Sequence, residues 1–117
     1  MQKFEVVIYE KKGRGLKCTR KIKKDEVIVV NHALIISAVQ NNDTTIRRHV
    51  MEYSPAKNII MLGECTLVNH SDNENAEILI EKNEISPRVI LVALRDIKKG
   101  EEITINYGPN YPKTWRS

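Results

Sequence analysis

The sequence predicts a mostly β domain. Three observations carry this. Short runs rich in β-branched and aromatic residues recur along the chain, polar turns separate them, and a single segment has helical spacing.

"FEVVIYE", Phe4 to Glu10, reads as the first strand. "KKGRG" follows, and its two glycines around one residue mark a tight backbone excursion. "DEVIVV" and "ALIISAV" are the next apolar runs, split by Asn31-His32, and "QNNDT" is a loop. "TTIRRHVMEY", Thr44 to Tyr53, is expected to be a helix: a Thr or Asp caps it, and Ile46, Val50 and Tyr53 share one face. Ser54-Pro55 ends it. "IIML" comes next, then the polar stretch "LVNHSDNENA", then the strands "EILIE", "RVILVALRD" and "EITINY". No linker or low-complexity tract is visible.

Composition bounds the rest. The 117 residues fit one domain, 1–117, with one modest core. At 41% hydrophobic and 29% charged, the balance is that of a globular protein in water. No apolar run approaches the about 20 residues that cross a bilayer, so no membrane is expected. "MQKFEVVIYE" does not have the form of a signal peptide, and the domain reads as intracellular. Two cysteines, Cys18 and Cys65, are too few for a disulfide framework or a Cys-rich zinc site; they read as small buried side chains. His32, His49 and His70 lack metal-ligand spacing, so no metal is expected. The net charge is +4, and much of the excess sits in Lys11, Lys12, Arg14, Lys17, Arg20, Lys21, Lys23 and Lys24. Such a cluster either binds phosphates or lines solvated turns.

One pattern occurs twice. "RKIKKDEVIVV", Arg20 to Val30, echoes "RDIKKGEEITI", Arg95 to Ile105. Each reads as a polar turn between strands, with Gly100 supplying a positive φ that Asp25 tolerates.

Three segments, in this order and spacing, resemble the SET domain of protein lysine methyltransferases. They are "KGRGL" with the following "TRKIKKDEVI" (Lys12 to Ile28), "LVNHSDNENA" (Leu67 to Ala76) and "KKGEEITINYG" (Lys98 to Gly108). The length looks most like the minimal SET domains of viruses and bacteria. The resemblance implies a β-clip fold of several small sheets, with a short helix and a C-terminal pseudoknot that brings Tyr107 to Asn69-His70. It implies methyl transfer from S-adenosylmethionine to the side-chain nitrogen of a lysine in a protein, with a histone tail as one candidate.

The same resemblance assigns residues. The main chain around Gly13, Arg14, Gly15 and Leu16 would contact the methionine part of the cofactor, since glycine leaves room for close approach. Asn69 offers an amide that suits the cofactor's amino or carboxylate group, and His70 follows it. Tyr107 is the catalytic candidate, holding a neutral amine in line. Tyr111 would border the lysine channel or the cofactor, Tyr53 would line the channel or sit in the core, and Trp115 would stack on the adenine or pack the C-terminus. By its residues alone, Gly-x-Gly reads as a plain hairpin turn, and His70 reads equally as a hydrogen-bonded turn residue. Asp72, Asn73 and Asn75 read as turn-shaping.

The chain departs from the family pattern at Lys17, Glu64, Val68 and Asn106, which thins the expected aromatic lining. It shows no Cys-rich segment after the third motif. Substrate choice would then come from the core, the insert between Ala38 and Ile59, or a second subunit of a homodimer. The alternative from another class is a non-catalytic module that uses the basic face on nucleic acid or an acidic partner.

Overall fold

The computed structural model describes residues 3–37 and 50–107, with backbone alone at 50–52. Two sheets dominate. The first has the order β1-β2-β9-β6 and the second β4-β5-β3-β8-β7. Strands are β1 (Phe4–Tyr9), β2 (Gly13–Cys18), β3 (Val27–Ser37), β4 (Val50–Ser54), β5 (Lys57–Met61), β6 (Asn69–His70), β7 (Ala76–Glu81), β8 (Arg88–Ala93) and β9 (Glu102–Ile105). A single turn of 3-10 helix, Glu64–Leu67, precedes β6.

The first sheet positions the site. β1 and β2 form a hairpin in continuous register from Phe4 opposite Cys18 to Tyr9 opposite Gly13. Gly13 closes it with φ 76°, a conformation that costs glycine nothing. β9 lies between the two chemical motifs. It pairs antiparallel with β2, Leu16 opposite Ile103, and parallel with β6, Asn69 opposite Thr104 and His70 opposite Ile105. Gly-x-Gly and Asn-His therefore flank the same four-residue strand.

β3 is one strand of 11 residues, not the two runs that Asn31-His32 suggests. The interruption marks a change of partner instead. Residues 27–32 pair with β8 and residues 33–37 with β5. Asn31 stays in the strand because its amide is used elsewhere: Oδ1 accepts from the Cys65 amide at 2.8 Å and Nδ2 donates to Glu64 at 3.1 Å. That clamp holds the 3-10 turn leading into β6.

The expected helix is corrected where it can be seen. Val50 to Tyr53 belong to β4 and pair with β5, Val50 opposite Ile60 and Met51 opposite Ile59. A neighbouring β-branched strand, folded back through the Ser54-Pro55 turn, outweighs weak helical spacing. Thr44 to His49 lie outside the described residues. So does the segment beyond Tyr107 that the expected pseudoknot would thread.

Leu16, Ile22, Ile59, Val89, Leu91, Ile97 and Ile103 are wholly buried and belong to one hydrophobic core. Cys18 and Cys65 are buried and free, as expected. Burial, with Glu64 beside it, pushes the Cys65 thiol up to about 12. The mostly β architecture of small sheets is that expected from the sequence.

Candidate functional site

Tyr107 follows β9 and reaches back over β6. Its hydroxyl donates to the Val68 carbonyl at 2.6 Å, one peptide unit from Asn69. Its backbone N–H donates to His70 Nδ1 at 3.0 Å, and the two rings lie 5.1 Å apart, tilted by 44°. These contacts fix the histidine tautomer. Nδ1 accepts from an amide, so the hydrogen of neutral imidazole sits on Nε2, which donates to Asp72 Oδ1 at 2.8 Å. The His70 side chain is only 9% exposed. Asp72 is therefore more than a turn residue: it orients the ring that holds the Tyr107 backbone.

Asn69 faces the hairpin. Its Nδ2 donates to the Arg14 carbonyl at 3.1 Å and to Glu102 Oε2 at 2.8 Å. Gly15 makes this packing feasible. A Cβ there would stand 2.7 Å from Asn69 Nδ2, 2.8 Å from the Tyr9 ring and 2.9 Å from Glu102 Oε2. The two glycines thus serve different needs. Gly13 needs its left-handed φ and has open space around it, whereas Gly15 needs its missing side chain. Arg14 is exposed and Leu16 is core, so Leu16 can offer a ligand only its main chain.

Sequence reasoning missed Glu102, Tyr9 and the function of Lys12. Lys12 Nζ pairs with Glu102 Oε1 at 2.9 Å and lies 5.9 Å over the Tyr9 ring. Burial, then Glu102 and Glu5, push the Tyr9 phenol up, so it stays neutral. The available signal was Glu102 itself, an acid in a strand central to its sheet, which requires partners. Asn75 behaves as a structural residue. It is buried, accepts the Thr104 amide at 2.9 Å and donates to the Glu102 carbonyl at 2.8 Å and Glu101 at 3.1 Å.

Tyr53 sits elsewhere in the described contacts. Its hydroxyl donates to the Asn83 carbonyl at 3.3 Å and accepts the Asn83 amide at 3.2 Å. With Ile35, Lys57, Lys82, Asn83 and Glu84 it lines an open pocket of about 460 Å³. Tyr111 and Trp115 lie outside the described residues. Among the described residues, no group of three or more His, Cys, Asp or Glu side chains is placed to hold a metal, and no helix is long and apolar enough to cross a membrane.

A family profile described as the SET domain matches residues 13–108, from the Gly-x-Gly hairpin to the residue after Tyr107. The chain belongs to the SET domain family. It is similar to known proteins over most of its length. The N-lysine methyltransferase KMT5A-A of Danio rerio is 29% identical over 116 residues, covering 85% of this chain and 33% of that protein. KMT5A-A of Xenopus laevis is 30% identical over 112 residues, covering 83% and 33%. This SET chain thus spans about a third of the length of the curated relatives it matches. A solved structure of a Plasmodium falciparum protein assigned to the histone methyltransferases superposes with a TM-score of 0.78 at 27% identity, over 95% of this chain and 97% of that one.

Proposed function

We propose that this chain is a protein lysine N-methyltransferase that uses S-adenosylmethionine, with a lysine in a histone tail as the first substrate to try. One observation carries the reading: the Tyr107 hydroxyl donates at 2.6 Å to the carbonyl preceding Asn69, just past β9, the strand that pairs with β2 of the Gly-x-Gly hairpin. Three motifs far apart in sequence meet at one place. The KMT5A relatives named above are N-lysine methyltransferases and support the same chemistry.

The residues fit the cofactor on two observations. Asn69 spends both amide hydrogens on Arg14 and Glu102, and among the described residues its Oδ1 has no hydrogen bond. An amide oxygen so presented accepts from an ammonium, which selects the cofactor's amino group over its carboxylate. Beside it, the position of a Cβ on Gly13 has nothing within 4 Å among the described residues, which leaves room along the hairpin.

Bound S-adenosylmethionine supplies an electrophilic methyl carbon: the lysine lone pair forms the new C–N bond as the C–S bond breaks toward sulfur, and the nitrogen then loses a proton. The remaining work is positional. Tyr107, locked through its N–H by His70, holds a phenol oxygen where it can accept from the incoming amine. The lysine must arrive neutral, and an apolar channel would achieve this by desolvation. Asp72 and His70 keep the tyrosine backbone in place.

A nucleic-acid module fits less well. Lys12, Arg20 and Lys21 each pair with a carboxylate, Glu102, Glu26 and Asp96, which neutralises part of the basic cluster. The deciding experiment compares wild type with Tyr107→Phe for transfer of labelled methyl to histones, read by mass spectrometry. The variant should lose about 10²-fold or more in rate while calorimetry shows cofactor affinity within about threefold. Full activity would remove Tyr107 from its assigned place.

A further inference from the structure

Glu102 begins β9, opposite Lys17 of β2, and its side chain is 14% exposed. A carboxylate so enclosed needs partners. It has them on both oxygens: Lys12 on Oε1 at 2.9 Å and the Asn69 amide on Oε2 at 2.8 Å. Gly15 is fitted to the same pair, since any Cβ there would displace both Asn69 and Glu102. The hairpin, the Asn-His turn and the closing strand thus meet at one carboxylate.

We propose that Glu102 is a positioning residue for cofactor capture: by accepting one amide hydrogen of Asn69, it turns Asn69 Oδ1 toward the ligand's ammonium. This rests on the methyltransferase reading. An asparagine amide is nearly symmetric in shape, so only its partners decide which end faces a ligand. Here both inward partners are acceptors, the Arg14 carbonyl and the Glu102 carboxylate. A flipped amide would set oxygen against oxygen twice and lose both bonds. The Glu102 charge also adds a negative field at the place where the ammonium is received. Lys12 tethers that carboxylate. It does so from a half-exposed position, so the pair yields without burying a lone charge.

Calorimetry on the full chain tests this with two probes, S-adenosylhomocysteine and its analogue lacking the α-amino group. Wild type should prefer the amine by about tenfold or more. Glu102→Gln keeps an acceptor for Asn69 but loses the charge, and its preference should fall about three- to tenfold. Glu102→Met has no acceptor; its preference should collapse to about twofold or less, mainly through weaker binding of the amine while the analogue is little affected. A general packing defect would weaken both probes alike and would overturn the proposal. So would an unchanged preference in Glu102→Gln, which is nearly isosteric and decides the matter even where Glu102→Met does not fold. If wild type binds neither probe, the methyltransferase reading itself fails. If wild type binds and discriminates while the variants match it, only the Glu102 assignment fails.

Discussion

In the Arg20–Glu26 turn, Glu26 accepts from the Lys23 amide at 3.1 Å and pairs with Arg20 at 2.8 Å. In the Arg95–Glu101 turn, Glu101 accepts from the Lys98 amide at 3.1 Å and pairs with Arg95 at 3.1 Å. The turns also hold each other. Ile22 and Ile97 exchange backbone hydrogen bonds at 2.9 and 2.8 Å. The Cys18 amide donates to the Glu101 carbonyl and the Ala93 amide to the Glu26 carbonyl; Gly100 donates to Cys18, and Asp25 to Ala93. Each of these contacts in one turn has its counterpart in the other, as around a local two-fold axis. The difference lies in the third partner of each acid. Glu26 reaches Lys3 at 2.9 Å, near the start of the chain. Glu101 reaches Asn75, which in turn holds Glu102 and Thr104 of the site strand. A repeated backbone device is set by a short local pattern. What it serves is set by the one contact its acid has left to make.

The largest effect should come from the hinge the two turns share. Ile22 and Ile97 are both wholly buried. Ile22→Ala and Ile97→Ala should each destabilise by about 2–5 kcal/mol, measured by urea unfolding. The double variant should cost at least about 0.5 kcal/mol less than the sum, because the side chains share one environment. Strict additivity would mean that the turns are independent and only look symmetric.

The pairing of these turns shows what could be read in advance. The echo of Arg-x-Ile-Lys-Lys was visible, and so were the positive-φ positions, observed at φ 70° for Asp25 and φ 91° for Gly100. These are local properties of few residues. The contact between the copies was not visible, because the sequence does not say which distant strands become neighbours. The same holds at the site. Asn69, His70, Tyr107 and the glycines stood out through the family resemblance, and the structure brings them together. Glu102 and Lys12 did not stand out, since their purpose exists only once β9 lies against β2. The end of the expected helix became β4 for a like reason: its partner β5 is read from pairing and not from its own spacing.

The acids sharpen the comparison through pH. Lys3, the Lys23 amide and Arg20 hold the Glu26 carboxyl at about 2, against 4.5 unperturbed. As pH falls, the unfolded chain takes up this proton first. The contribution of Glu26 is therefore complete above pH 4.5 and is lost as pH drops toward about 2. After allowance for solvent screening it amounts to about 1–2 kcal/mol. Burial pushes the Glu101 carboxyl up, but the Lys98 amide, Asn75 and Arg95 outweigh it and hold it below the usual range. Glu26→Gln and Glu101→Gln should each flatten the acid limb of a melting-temperature profile. Glu101→Gln should in addition weaken cofactor binding, because its loss reaches the site strand through Asn75. Equal cofactor affinity in both variants would contradict the division of labour between the turns.

The smallest effect concerns the residue at the left-handed position of each copy. Asp25 and Gly100 occupy equivalent left-handed positions, and nothing lies within 4 Å of a Cβ on Gly100 among the described residues. Substitution there meets strain without collision. Gly100→Ala should destabilise by about 1 kcal/mol. Asp25→Gly should change stability by only a few tenths of a kcal/mol, since aspartate tolerates this conformation and glycine regains entropy when unfolded. Thermal unfolding at neutral pH resolves the two. If Asp25→Gly instead costs more than Gly100→Ala, the aspartate must contribute through its charge, and the turns differ in electrostatics as well as in their third partner.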